Sequence, residues 1–156
     1  MWMRCFQIPC MIFFITRCFG YNFKHISTQT HRDYFKYRSC NRRHFKKSKG
    51  YIKYVEDHHI IPKQWKNHDL LQNIHFDLNS SNNLYIMPNK CAMKQFHLHP
   101  DTLIHQGGHR KYNLYVKEQL DYIYGLNEDA QSYEFWLLLH HLKSNMKFNK
   151  DGIPWK

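Results

Sequence analysis

Glu56-Asp57-His58-His59-Ile60-Ile61-Pro62 is the stretch on which the reading of this chain turns. It follows Tyr51-Ile52-Lys53-Tyr54-Val55, an apolar run with the composition of a short strand, which the two histidines close. Neighbouring side chains on a strand point to opposite faces. His58 and His59 therefore cannot do the same job there: one can look at a metal while the other looks at a substrate.

Working outward, Lys63 to Ser81 forms a connection with a short apolar piece, Leu70, Leu71 and Ile74. Asp77 to Asn83 is dense in residues whose side chains bond their own backbone, so it reads as a turn. Leu84-Tyr85-Ile86-Met87 is a second strand, stopped by Pro88. Nothing periodic appears from Asn89 to Thr102, and His97-Leu98-His99-Pro100 belongs to what should be loop. His105-Gln106-Gly107-Gly108-His109 comes next. Beyond it, Tyr112, Tyr115, Val116, Leu120 and Ile123 recur with a 3.6-residue period and predict an amphipathic helix ending near Gly125. Phe135, Trp136, Leu138, Leu139, Leu142 and Met146 trace one face of a second helix, whose role is core. The tail from Asn149, with Gly152 and Pro154, should be irregular.

The 156 residues make one domain, or one domain with a tail, long enough to bury a core. Lys and Arg number 23 against 12 Asp and Glu, with 13 His besides. Such a surface attracts polyanions, nucleic acid or an acidic membrane, and does not choose between them. A solvated basic surface with no specific ligand is the plain alternative. The five cysteines contain no Cys-x-x-Cys pair, which argues against a thiolate zinc site. Three of them fall in the first twenty residues; without that segment, Cys40 and Cys91 remain for a disulfide, which only geometry can decide.

Residues 1–20 are a signal-like or apolar segment. Cys5 to Thr16 lies between Arg4 and Arg17 and is shorter than the roughly 20 residues of a bilayer span, so no stable transmembrane span is expected. It suits the apolar region of a secretory signal, with Cys18-Phe19-Gly20 as the cleavage site, and suits equally a docked N-terminal helix or an interfacial anchor. The first case places the protein outside the cell, the second leaves it an intracellular effector. Residues 21–50 form a basic arm in which Arg32, Lys36, Arg38, Arg42, Arg43, Lys46, Lys47 and Lys49 alternate with Tyr34, Phe35, Tyr37 and Phe45. Charges this dense repel one another, so the arm should be partly mobile or a solvated helix. Cations among aromatics suit a phosphate backbone with stacked bases; a targeting signal or a linker has the same composition. Residues 51–125 then hold the two strands and the first helix, and residues 126–156 the second helix and tail.

The order His-His, then Asn-strand-Pro, then His-x-x-x-His resembles the HNH (ββα-metal) nucleases, and most of all their AHH branch, usually found as toxin domains. The resemblance runs from Val55 to Ile123. It implies an α+β fold, a β-hairpin and helix gripping a metal, with additional flanking helices. By position, His58 would be a metal ligand and His59 the general base. Asn83, or Asn82 one residue earlier, would orient that base, and His105 and His109 would complete the ligand set. Residues four apart share a helix face, but Gly107 and Gly108 each cost about 1 kcal/mol against Ala inside a helix. The helix is therefore expected to begin near His109, with His105 presented from the turn before it.

The chain departs from the family's first letter, with Asp57 where alanine is usual, and has Leu84 where a glycine often follows the asparagine. Asp57 is open to three roles: extra ligand, hydrogen-bond partner of a ligand imidazole, or surface residue. His68 and His99 are candidates for completing the metal shell or binding phosphate, against a plain reading as surface histidines. Lys63, Lys94, Arg110 and Lys111, with Arg42 and Arg43 of the arm, are candidate phosphate contacts. The implied enzyme is an endonuclease using one divalent cation on DNA or RNA. An imidazole shell favours zinc or another transition metal such as nickel, with magnesium still open. A toxin of this kind implies an immunity or inhibitor protein. The rival reading is a non-catalytic nucleic-acid-binding module with a structural metal, for which a fourth protein ligand from Asp57, His97 or His99 would speak. A third is metal-free RNA cleavage through a 2′-hydroxyl.

Overall fold

The structure is a computed structural model that describes residues 35–146 and 152–155. The expectations for residues 1–20, and for the basic arm before Phe35, lie outside the described residues.

Helix α1 (Cys40–Ser48) opens on Ser39, whose Oγ accepts from the Arg42 amide at 3.2 Å. It ends at a turn in which Gly50 takes φ +69°, a left-handed conformation that glycine adopts without strain. The chain then turns through Tyr51–Tyr54, with Tyr54 N bonded to Tyr51 O at 2.8 Å and Val55 N to the same carbonyl at 3.1 Å. The first strand therefore starts later than its apolar composition predicts. β1 is Val55–His59, paired antiparallel with β2 (Leu84–Pro88) so that Val55 faces Pro88 and His59 faces Leu84. Pro88 lies at a non-hydrogen-bonded position of the ladder, so its missing N–H costs no bond, and the Asn89 amide just beyond it donates to Tyr54 O at 3.0 Å. The apolar Tyr51-Ile52-Lys53-Tyr54 run is left outside the sheet.

Between the strands, a 3₁₀ turn (Lys63–Trp65) leads to the one-turn helix α2 (Asp69–Asn73), which buries Leu70 and Leu71. A second 3₁₀ turn (Ser81–Asn83) delivers the chain to β2. Where a loop is expected after Pro88, the chain forms α3 (Lys90–Phe96). Asn89 starts it, its Oδ1 accepting from Cys91 N at 3.0 Å and Ala92 N at 3.1 Å. Only Ala92 of this helix is buried, so the sequence carries no apolar period to announce it. Cys91 on α3 and Cys40 on α1 are both exposed free thiols, so no disulfide joins them in this structure.

The long helices α4 (Arg110–Tyr124) and α5 (Glu128–Asn145) carry the core, as their periodicity predicts. Tyr112, Val116, Leu120 and Ile123 of α4 pack with Phe135, Leu138, Leu139 and Leu142 of α5, over Ile60, Ile61, Leu70, Leu71 and Met87. Trp136 departs from the expected face. It is 43% exposed and lies across Phe76 and Phe135 at ring separations of 5.9 Å, because one residue past Phe135 is 100° round the helix. Ile153 and Trp155, in a segment without regular structure, join the core from the other side.

In the described part of the basic arm, Arg38, Arg43, Lys47 and Lys49 are exposed, while two cations of α1 are engaged. Arg42 Nε and Lys46 Nζ, one turn apart on α1, both reach Asp57, at 2.7 and 2.9 Å. Arg42 is 6% exposed, so it braces α1 against β1 and is not presented to a phosphate. Breaking a buried ion pair strands the remaining charge. Asp57→Ala is expected to lower the unfolding free energy by about 3 kcal/mol, read as a shift in the urea midpoint with an unchanged slope.

Candidate active site and metal centre

β1 distributes its side chains by simple alternation. Glu56 and His58 share one face, Asp57 and His59 the other. On the first face, His58 meets His105 and His109, the three ring centroids lying 5.5, 5.5 and 5.7 Å apart. One nitrogen from each imidazole falls within 4.8 Å of the others.

Three local devices produce this convergence. The amide of His105 donates to Pro88 O at 2.8 Å, tying the stretch before α4 to the end of β2. Gly107, at φ +67°, then turns the chain so that His109 stands at the N-cap of α4. Tyr112 Oη donates to Ile60 O at 2.6 Å, fastening the first turn of α4 to the loop after the histidine pair. His105 thus comes from the turn and the helix begins at Arg110, as the two glycines imply.

The carboxylate partner within the histidine cluster is Glu56, not Asp57. Glu56 Oε2 lies 2.8 Å from His105 Nδ1, which leaves Nε2 to face the cluster. Its position two residues before His58, hence on the same strand face, was the available signal. Trp155 is a second residue that sequence reading missed; its indole lies 4.1 Å from the His109 ring and 5.1 Å from that of His58. Nothing in its local sequence marks it.

On the opposite face, His59 borders a cleft of about 520 Å³ that reaches round to the histidine cluster and is also lined by Tyr37, Arg38, Lys63 and Asn113. The Tyr37 ring packs edge-on to His59 at 4.6 Å, and Lys63 Nζ sits 3.7 Å from the centre of that same ring. The Tyr37 amide bonds to Asn79 O at 2.9 Å, and the Asn79 side chain bonds to His59. Asn83 is fully buried, with Oδ1 accepting from Ile61 N at 2.7 Å and Nδ2 donating to Ile61 O at 3.1 Å and Leu78 O at 2.9 Å. It pins the main chain immediately after the histidine pair, while the asparagine at the His59 ring is Asn79. Asn82, the alternative, is half-buried beside it.

The remaining candidates disperse. His68 caps α2, its Nδ1 accepting from Leu70 N at 3.2 Å and its Nε2 lying 3.0 Å from Asp121. His99 is exposed and accepts from the Asp101 amide at 3.2 Å. Neither belongs to the triad. Of the cations singled out as phosphate contacts, Lys63 lines the cleft; Arg43, Lys94, Arg110 and Lys111 are exposed outside its lining.

Both members of the histidine pair are held neutral. Burial pushes His58 down from 6.5 to about 3, helped by the nearby rings of His105, His109 and His59. Burial also brings His59 down to about 4, aided by the Lys63 charge and opposed by the Asn79 bond and the Asp57 carboxylate. Neutral imidazole is the form that binds a metal or accepts a proton. The unfolded chain takes up the His58 proton near 6.5 and the folded chain only near 3. Stability is therefore complete above pH 6.5 and lost as pH falls through that window. For metal-free protein, His58 alone should cost about 2 kcal/mol between pH 7 and pH 5, and urea unfolding at the two pH values measures it. His58→Gln should flatten the dependence.

The donor set fits a transition-metal ion: three imidazoles from two segments, with His58 Nε2 buried and without a hydrogen-bond partner among the described residues. Adjacent histidines at the end of β1, joined by two more at the entrance to a long helix, give the α+β layout of an HNH-like nuclease. A sequence model of AHH, a nuclease family of the HNH/ENDO VII superfamily with conserved AHH, matches residues 41–135, more than half the chain. The chain belongs to that family and is an endonuclease, a hydrolase of phosphodiester bonds. The family's Ala-His-His reads Asp57-His58-His59 here. No curated protein and no solved structure matches the chain. Among the described residues, no helix is long and apolar enough to cross a membrane.

Proposed function

We propose that this endonuclease depends on one divalent cation held by His58, His105 and His109, and cleaves DNA or RNA in the cleft that joins the triad to His59. The observation that carries the reading is the three-histidine cluster beside a neutral fourth imidazole on the adjoining residue. A bound cation supplies Lewis-acid stabilisation of the phosphoryl and leaving oxygens. His59, with Nε2 buried and unengaged among the described residues, takes the proton from the attacking water. Asn79 and Tyr37 hold its ring, and Asn83 fixes the main chain that carries it. Lys63 and Arg38 place positive charge where the phosphodiester enters, and the net charge of +11 draws the polyanion from a distance.

The all-imidazole set favours zinc or another transition metal over magnesium. The rival, a binding module with a structural metal, is less well supported, because among the described residues the cluster has three protein ligands and not the four usual for a structural zinc. Asp57, His97 and His99, the residues considered for a fourth position, are engaged with α1 or exposed. A toxin or effector role, checked by an inhibitor protein, is the setting that the family resemblance supports. Chelator treatment is expected to abolish nicking of plasmid DNA or cleavage of RNA, with recovery on adding Zn²⁺, Ni²⁺ or Mn²⁺. RNA cleavage that persists in chelator would favour the metal-free route.

A further inference from the structure

The matched family segment ends at residue 135, yet one wall of the histidine cluster comes from beyond it. Trp155 is 8% exposed, and Ile153 two residues earlier is 5% exposed. The indole is tilted 38° to the His109 ring at 4.1 Å, and it also meets His58 at 5.1 Å and Tyr112 at 5.2 Å. It thus touches two of the three proposed ligands and the tyrosine that ties α4 to the loop after the histidine pair.

We infer that Trp155 is a positioning residue for the metal centre, holding His58 and His109 at ligating spread and excluding water on the side away from the cleft. This rests on the metal-site reading above and adds a residue to it. The physical basis is packing. An imidazole rotates about two side-chain torsions, and a ligand ring free to turn must be ordered when the ion binds. A large flat side chain against two such rings removes those alternatives beforehand, in the way that outer-shell partners orient ligands in other metal sites. His105 has a different restraint, the Glu56 carboxylate, and is the more open of the three, its side chain 27% exposed. The ion therefore enters from the cleft, past His105, and not from the Trp155 side.

Cobalt(II) is the probe, because it quenches nearby tryptophan emission and its visible spectrum reports ligand number. In full-length protein with Trp2, Trp65 and Trp136 replaced by phenylalanine, Co²⁺ is expected to quench the emission of Trp155 with a midpoint equal to the Kd from calorimetry. Trp155→Ala should weaken Co²⁺ binding about 10–100-fold, the range for outer-shell partners, and Trp155→Phe should restore most of it. Leu142→Ala, a fully buried core change on α5, should lower stability and leave the Co²⁺ Kd unaltered. Unchanged affinity in Trp155→Ala, or equal weakening in Leu142→Ala, overturns this inference alone. A parent chain that does not bind Co²⁺ overturns both it and the metal-site reading.

Discussion

His59→Ala should cut the rate of phosphodiester cleavage by about 10²–10⁴-fold, the usual worth of a positioned general base, while metal content stays at the wild-type level. The two halves of that result separate the roles of adjacent residues. Alternation along β1 puts His58 in the triad and His59 in the cleft, so loss of the second ring leaves the three proposed ligands in place. Cleavage assays on DNA and RNA, beside metal analysis of the same preparation, measure both. Full activity in purified His59→Ala would remove this residue from the mechanism. His59→Gln keeps some bulk beside Tyr37 and should be equally inactive, because an amide accepts no proton at neutral pH.

The second large effect falls on His58→Ala. One of the three proposed ligands disappears, and metal affinity should fall by more than the 10–100-fold typical of outer-shell changes, with activity following it at limiting metal. Here the stability loss should be smaller than that of most core truncations. His58 is 5% exposed, and its Nε2 has no hydrogen-bond partner among the described residues. Without metal, the imidazole is a buried polar group that the fold tolerates only in its neutral form. Its removal therefore costs packing but relieves desolvation, and metal-free His58→Ala should lose less stability than a buried Leu→Ala. With metal the order reverses, because only the wild-type chain gains the binding free energy. Thermal unfolding with and without Zn²⁺ makes the comparison directly.

Much of the architecture was legible because the relevant forces are local. The period of Tyr112, Val116, Leu120 and Ile123 follows from burying one face of a helix, and the structure places all four in the core. Gly107 and Gly108 marked where α4 begins, since glycine disfavours helix interiors and supplies positive φ. The α3 helix escaped notice because one buried alanine makes no pattern. The first strand was misplaced for a related reason: pairing with β2, which no composition reports, chose Val55–His59 over the more apolar run before it.

What the order of residues determined alone was the cast: adjacent histidines on a strand, an asparagine at the next strand, and two more histidines before a helix. Alternation, turn chemistry and helix period act within a few residues, so a linear reading reaches them. Only the tertiary structure decided who stands beside whom. It turned Asp57 toward Arg42 and Lys46, gave His105 to Glu56, laid Tyr37 and Asn79 on His59, and brought Trp155 to the triad from 46 positions beyond His109. Those contacts join residues whose separation along the chain carries no periodic signature, and packing alone selects them.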